Sequence, residues 1–102
     1  MQTTYRTSKR VPVTNNETKQ RFELEVAGGT AILDYHLEDG VLYLDYAEVP
    51  DLAHGQGIAG TVTFAALEWA RERRLKVVPV CGYVVAYLNR HPEFSDLLES
   101  TG

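Results

Sequence analysis

A glycine-rich segment at residues 54–60, His-Gly-Gln-Gly-Ile-Ala-Gly, separates an extended apolar run from a run with helical spacing. Glycine has no Cβ, so the backbone here can adopt dihedral angles that other residues avoid and can let another group approach closely. The first amides of a helix have no partner within the helix and carry a partial positive charge. A strand, a glycine turn and a helix N-terminus in this order predict a phosphate-binding loop, with an ordinary glycine-rich turn as the alternative.

The residues after this segment predict a helix, a strand and a second helix. A helix from Gly57 to about Arg73 has one wide apolar stripe, formed by Ile58, Val62, Ala65, Ala66, Trp69 and Ala70. Leu75–Val80 is short and β-branched, as in a buried strand, and Pro79 lacks the donor that one side of a ladder needs. A second helix over residues 83–90 ends before Pro92, and a short last helix is predicted over residues 93–100.

Two strands, Ala31–Leu37 and Val41–Val49, flank Asp39-Gly40, which is a strong hairpin signal. A two-residue turn points Tyr46 toward the core and places Asp34 opposite Asp45, an unfavourable pairing of like charges. Either the loop is longer than two residues or one carboxylate has an unusual environment, and the sequence leaves this open. His36 is predicted to be a surface histidine on a strand.

The order of the elements predicts a mixed sheet of the α+β or α/β class with helices packed on it. A strand at Phe22–Val26 and a short edge strand near Val11–Val13 precede the hairpin, so the N-terminal strands are antiparallel. The later strand–helix–strand unit gives a parallel pair with a right-handed crossover. A split beside the interrupted strand lies where α/β sheets place ligands. Residues 1–102 are predicted to form one domain.

Composition excludes several classes of function. The 102 residues are 44% hydrophobic and 24% charged, as in a soluble globular protein, and we expect a cytoplasmic location. A net charge of −4 argues against nucleic-acid binding, and no apolar run is long enough to cross a membrane. One cysteine and three scattered histidines predict neither a disulfide nor a metal site. We expect a monomer, or a weak homodimer formed through the exposed edge near Val11–Val13.

Four motifs follow one another along the chain: Glu48-Val49-Pro50, the loop beginning at His54, Lys76-Val-Val-Pro-Val-Cys81, and Asn89-Arg-His-Pro-Glu-Phe94. Together they resemble the small, single-domain GNAT-like N-acetyltransferase family, over about residues 22–98. The resemblance implies a GNAT fold that uses acetyl-CoA, without a metal, to acetylate an amine on a small molecule or peptide. Two positions depart from the family pattern: His54 replaces an arginine or glutamine of the loop, and Tyr46 replaces a frequent histidine.

The resemblance also implies site residues. The residues expected to bind coenzyme A are Val49, His54, Gly55, Gln56, Gly57, Ile58, Ala59 and Gly60. The catalytic candidates are Cys81, Tyr46 and Glu48. Cys81 follows the interrupted strand and is either an acetyl-carrying nucleophile, a thiol acid or a small buried hydrophobe. Tyr46 and Glu48 can deprotonate the amine, with a core aromatic and a solvated carboxylate as the alternatives. Tyr83 and Tyr87 share a helix face and can donate to the departing sulfur.

Two other functions stay open. Loss of the usual loop arginine and of the usual histidine is compatible with a module that binds coenzyme A with little or no catalysis. A protein-interaction domain that no longer binds the cofactor is the second. The acceptor amine is not identified by the sequence, although acidic residues at Asp34, Asp45, Glu48 and Asp51 favour a cationic one.

Overall fold

The structure, a computed structural model, describes residues 2–6 and 12–99. A six-stranded sheet with the strands in chain order carries two α-helices. Its elements are β1 (Gln2–Arg6), β2 (Pro12–Asn16), β3 (Arg21–Val26), β4 (Gly29–Glu38), β5 (Val41–Glu48), α1 (Ile58–Glu72), β6 (Lys76–Pro79) and α2 (Gly82–Arg90), with 3-10 turns at Asp51–Ala53 and Pro92–Leu97. None of the helices in these two ranges is long and apolar enough to cross a membrane.

The sheet is mixed, as the sequence predicts. Strands β1 to β5 are antiparallel neighbours, and β6 returns parallel to β5 after the α1 crossover. The predicted mixed fold with a parallel strand–helix–strand unit is therefore confirmed, and the predicted helix and strand bounds differ from the observed ones by a few residues at most for α1, β6 and α2.

The core lies between one face of the sheet and α1. Alternation along β4 buries Ala31, Leu33 and Tyr35, and the apolar stripe of α1 buries Trp69 against them. The Trp69 ring lies 5.5 Å from the Tyr35 ring and 5.7 Å from the Phe22 ring, between centroids. Helix α1 contacts β2 to β6, and α2 contacts α1 and β6. The alternate residues of β3, β4 and β5 therefore form a second face, which we call the open face, on the side away from these helices.

Strand β2, which contains Val13, is not at the edge of the sheet. Strand β2 pairs with β1 on one side and β3 on the other, and Val13 is fully buried. The prediction of an exposed edge near Val11–Val13 was wrong for its described residues, Pro12 and Val13, because β1 covers them; Val11 lies outside the described residues. A homodimer through that edge loses its structural basis.

A β-bulge in β5 changes the predicted hairpin register. Asp39 and Gly40 both have positive φ, and the first pairs are those expected, Leu37 opposite Leu42 and Tyr35 opposite Leu44. The register then shifts, so Asp34 lies opposite Tyr46 and Asp45 is the extra residue. The simple register, which would set Asp34 opposite Asp45, therefore fails. The predicted inward orientation of Tyr46 was wrong: its side chain is 51% exposed, because one extra residue reverses which side chains face the core.

Candidate functional site

A gap between β5 and β6 begins at the bulge. The two strands pair only as far as Leu44 opposite Pro79. The amides of Val80 and Cys81 then both donate to the carbonyl of Leu44, each at 3.0 Å. Pro79 has no amide hydrogen to extend the ladder, and β5 bends at Asp45. The pairing of β5 with β6 therefore ends at Leu44 and Pro79, and the backbone of β5 beyond Leu44 has no partner in β6.

The chain that follows β5 turns into α1 through glycines with positive φ. Gly55 has φ 82° and Gly57 has φ 72° in the left-handed region, where Gly57 is the N-cap of α1. Left-handed backbone costs other L-residues about 1–2 kcal/mol, so glycine is favoured at this turn. A Cβ on Gly55 would meet no atom within 4 Å, which leaves open space over the loop.

The N-terminus of α1 presents amides without partners in the helix. The first bond of the helix runs from the amide of Thr61 to the carbonyl of Gly57, at 3.1 Å. The amides of Ile58, Ala59 and Gly60 precede it and have no intrahelical acceptor. Within the part of the chain that the structure describes, no side chain caps this end. These amides carry the positive end of a 15-residue helix dipole and favour an anion.

A cleft of about 350 Å³ opens beside this helix end. Its walls are predominantly apolar and are formed by Val49, Ala53, His54, Gly55, Gly57, Ile58, Ala59 and Tyr83. Six of the residues predicted to bind coenzyme A thus line the cleft. Of the other two, Gln56 is exposed in the same loop, and Gly60 lies next to the hydroxyl of Tyr83.

His54 holds the loop in place through its side chain. Its Nε2 lies 2.8 Å from the carbonyl oxygen of Val49 and 3.7 Å from a carboxylate oxygen of Asp51. A carbonyl only accepts, so Nε2 is the donor, and in the neutral imidazole the remaining Nδ1 is an acceptor. A neutral His54 therefore offers no free donor to a phosphate and closes the loop onto the end of β5 instead. An anion at this loop would therefore meet the backbone amides of α1 and not a side-chain donor of neutral His54.

Two tyrosines of α2 have different environments. The Tyr83 side chain lines the cleft, and its hydroxyl oxygen lies 3.2 Å from where a Cβ on Gly60 would be. Tyr87 is 7% exposed and stacks on His91, with 4.0 Å between the ring centroids. Burial raises the pKa of the Tyr87 hydroxyl, and the neighbouring Tyr83 adds to the effect. Tyr87 is thus a neutral packing residue, whereas Tyr83 is one of the residues that line the cleft.

The three catalytic candidates lie around the gap on different sides. Cys81 is partly buried, packs against the core and is the N-cap of α2, two residues after the end of β6 at Pro79. Tyr46 and Glu48 are exposed, and they pair with Asp34 and Ile32 of β4. That register places both on the open face, away from α1. The fold brings Cys81 and the tyrosine-lined cleft to the helix side of the sheet and the two proposed bases to the other.

Comparisons with known proteins agree with this architecture. The family model of the GCN5-related N-acetyl-transferases matches residues 21–97. Protein NATD1 of Gallus gallus is 29% identical over 85 residues, which cover 80% of this chain and 77% of that protein. The Homo sapiens protein of the same name is also 29% identical, over 80% of this chain and 75% of its own length.

The fold has a relative of known structure. A GCN5-like protein from Staphylococcus aureus, solved by NMR in solution, superposes with a TM-score of 0.66 at 22% sequence identity, over 81% of this chain and 84% of that one. This likeness shows the shared fold. The family model spans most of the chain and includes the loop, the helix and both strands that border the gap. The chain therefore belongs to the GCN5-related N-acetyltransferase family.

Proposed function

We propose that the protein is an N-acetyltransferase that takes the acetyl group from acetyl-CoA and transfers it to an amine. One observation carries the proposal: three amides without an intrahelical acceptor begin α1 beside an open cleft, and this cleft is also lined by Val49, the residue that follows β5. Free amides at a helix N-terminus suit the diphosphate of coenzyme A, and a gap between two strands suits its extended thiol-bearing arm. The family membership supports the same chemistry.

The backbone does most of the binding in this proposal. The amides of Ile58, Ala59 and Gly60 hold the pyrophosphate, and the apolar walls formed by Val49 and Ala53 contact the methylenes of the arm. Gly55 and Gln56 complete the loop around the phosphates. His54 supports the loop through its bond to Val49 instead of supplying a charge.

Acetyl transfer breaks the carbon–sulfur bond of the thioester and forms a carbon–nitrogen bond with the amine. The ammonium must first lose a proton to a base, and the departing thiolate must gain one. Tyr83 lines the cleft and carries a hydroxyl, so we assign to this hydroxyl the donation of a proton to the sulfur. Cys81, at the N-terminus of α2, is placed to act as acetyl carrier or as a second acid. Tyr46 and Glu48 remain candidates for the base.

The experiment is an assay of thiol release from acetyl-CoA with a panel of polyamines and lysine peptides. The proposal predicts acceptor-dependent release and a rise in melting temperature with millimolar acetyl-CoA. Stabilisation without turnover across the panel would favour the alternative, a module that binds coenzyme A without catalysis. The engagement of His54 with Val49, which leaves the loop without a free side-chain cation, is the observation behind that alternative. If acetyl-CoA gives no stabilisation and no acceptor gives turnover, both the acetyltransferase and the binding module are refuted.

Cys81 can be tested separately. We expect Cys81→Ser to reduce transfer by about 100-fold or more and to leave the melting temperature nearly unchanged, because the two side chains are almost equal in size. Mass spectrometry of the wild-type protein after mixing with acetyl-CoA alone then distinguishes the roles. An acetyl adduct on Cys81 identifies a covalent carrier, whereas loss of activity without an adduct identifies an acid. Unchanged turnover of the serine variant would remove Cys81 from the mechanism.

A further inference from the structure

We propose that His36, oriented by Asp45, is the base that takes the proton from the acceptor ammonium, and that the open face of the sheet binds a primary alkylammonium acceptor. The inference rests on the proposed function and names the acceptor class and a catalytic residue for it. His36 is a surface histidine on β4, as the sequence predicts, but its contacts with Asp45 and Tyr43 were not predicted.

Two contacts fix the imidazole of His36. Its Nδ1 lies 2.7 Å from a carboxylate oxygen of Asp45, and its ring stacks on Tyr43 with 4.5 Å between centroids and 5° between planes. A carboxylate accepts, so Nδ1 carries the proton and Nε2 is left as a basic lone pair. Among the residues that the structure describes, none is bonded to Nε2. A carboxylate that selects the tautomer and orients the ring is the arrangement found in histidine general bases.

The bulge places this pair at the beginning of the gap. Asp45 is the extra residue of β5 and comes directly after Leu44, the last residue that pairs with β6. His36 lies on β4 opposite Tyr43, one residue before Leu44. Both side chains are on the open face, because the alternating neighbours Tyr35 and Leu44 face the core. In this proposal, a thioester that enters the gap from the cleft side meets the acceptor beside Asp45, and His36 takes the proton from the opposite side of the sheet.

The charges of the open face suit a cation. Asp34 precedes His36 by two residues on β4, and Glu48 continues the face beyond the gap on β5. Both are carboxylates, as is Asp45. On β3 the Arg21 guanidinium is 2.7 Å from Glu23, so this positive charge is paired locally. The exposed ring of Tyr46 offers an apolar and cation-binding surface next to these carboxylates.

The acetyl transfer removes two protons from the acceptor nitrogen and releases one thiol. Nε2 of His36 takes one proton from the ammonium, and the free amine attacks the thioester carbonyl carbon. The carbon–sulfur bond breaks, and its electron pair leaves with the sulfur of coenzyme A. The second proton is lost by the new amide nitrogen and goes to that sulfur through the hydroxyl of Tyr83, which lines the cleft. His36 returns its proton to solvent, and no oxidant or metal is needed.

The test compares acceptors that need a base with acceptors that do not. Alkylamines such as spermidine are protonated at pH 7, whereas methoxyamine is neutral. We expect His36→Gln to lower kcat/KM for spermidine by about 100-fold and for methoxyamine by less than about 5-fold, with the KM for acetyl-CoA unchanged. Asp45→Asn should lower the spermidine value by about 10-fold, since the wrong tautomer is then allowed. Glu25→Gln, which neutralises an exposed carboxylate of the same face that accepts from Thr30, is the matched control and should have no effect.

Rescue by exogenous imidazole distinguishes a base from a structural residue, because imidazole in solution can replace a missing base but cannot restore lost packing. His36→Ala should regain part of its spermidine activity with added imidazole, in proportion to the imidazole concentration. Equal losses with spermidine and methoxyamine, no rescue, or full activity of His36→Gln would each refute the base assignment. No thiol release by the wild-type protein with any amine would instead refute the proposed function itself, so the two failures are distinguishable.

Discussion

Adding one methyl group at Gly60 should raise the stability of the protein and lower its activity. Gly60 is in the first turn of α1 with ordinary helical backbone. A Cβ there would lie 3.2 Å from the hydroxyl oxygen of Tyr83 and 3.5 Å from a ring carbon of Tyr87. The first contact is tighter than ordinary packing and the second is not. The Tyr83 ring must therefore move by a few tenths of an ångström, which the end of an aromatic side chain can do.

Two magnitudes follow from this geometry. Alanine is favoured over glycine in helices by up to about 1 kcal/mol, mainly because it lowers the entropy of the unfolded chain. The displacement of Tyr83 removes part of this gain, so Gly60→Ala should stabilise the fold by about 0.5 kcal/mol. A hydroxyl that stabilises developing charge must lie within about 0.2 Å of its optimum, and complete loss of such a donor costs about 100-fold or more. A partial displacement should lower kcat by about 10-fold.

The assay combines chemical denaturation with steady-state thiol release. Tyr83→Phe alone should lower kcat by about 100-fold with little change in stability, since this hydroxyl faces the cleft. The double variant with Gly60→Ala should keep the gain in stability and show no further loss of kcat, because both changes act through one hydroxyl. Coenzyme A affinity should be similar in all variants, as the amides of α1 are retained.

Full activity of Gly60→Ala would refute the role of the Tyr83 hydroxyl. Additive losses in the double variant would also do so, because they would show that the methyl group acts on the substrate or on the loop and not through Tyr83. A net loss of stability would show that the packing against Tyr83 and Tyr87 cannot relax.

Two further predictions concern the fold. Tyr35→Phe should cost about 1–3 kcal/mol, because the Tyr35 hydroxyl donates to the fully buried Asn15 at 2.7 Å and its loss leaves that amide without a partner. Thermal unfolding checks it, and replacing both residues by apolar ones should recover much of the loss. The Arg71 guanidinium, hydrogen-bonded to Asp96, holds the pKa of that carboxyl below its usual range. This pair stabilises the fold above about pH 4, the ordinary carboxyl pKa, and its contribution is lost as the pH falls through the lowered value. Arg71→Gln should therefore lose less stability on acidification than the wild type; an identical acid profile would contradict it.

Local signals were sufficient to predict the elements that form the cleft. The apolar stripe from Ile58 to Ala70 repeats with helical spacing, and glycines occur where positive φ is required. Pro79 ends the pairing of β6 where a missing amide hydrogen must end it. Each of these features depends on residues close together in sequence, so the sequence is enough to place them.

The bulge at Asp45 could not be predicted in this way. The hairpin turn at Asp39-Gly40 sets the register correctly for the pairs next to it, and nothing in the hydrophobic alternation of β5 marks the extra residue. The repulsion expected between Asp34 and Asp45 was the one available sign, and it indicated that the simple register fails. The bulge resolves it: Asp34 lies opposite Tyr46, and Asp45 accepts from His36.

The prediction that Val13 lies in an exposed edge strand failed for a different reason. Strand β1 is polar and short, so its pairing with β2 has no strong signal in the sequence, and the apolar residues of β2 looked like the end of the sheet. Burial of Val13 depends on long-range packing under α1 that only the assembled fold supplies.

The one-residue bulge at Asp45 connects the gap and the His36 pair into a site with two sides. The bulge ends the β5–β6 ladder, which opens the gap, and it also brings Asp45 within 2.7 Å of His36 on the open face. The cleft at the helix N-terminus, lined by apolar side chains and free amides, suits an anionic thioester, and the carboxylates around His36 suit a cation. Substrates of opposite charge can then approach from opposite faces of the sheet without competing for one entrance. Deletion of Asp45 should therefore remove transfer through both effects at once, whereas Asp45→Asn affects only the base and should leave the binding of acetyl-CoA intact.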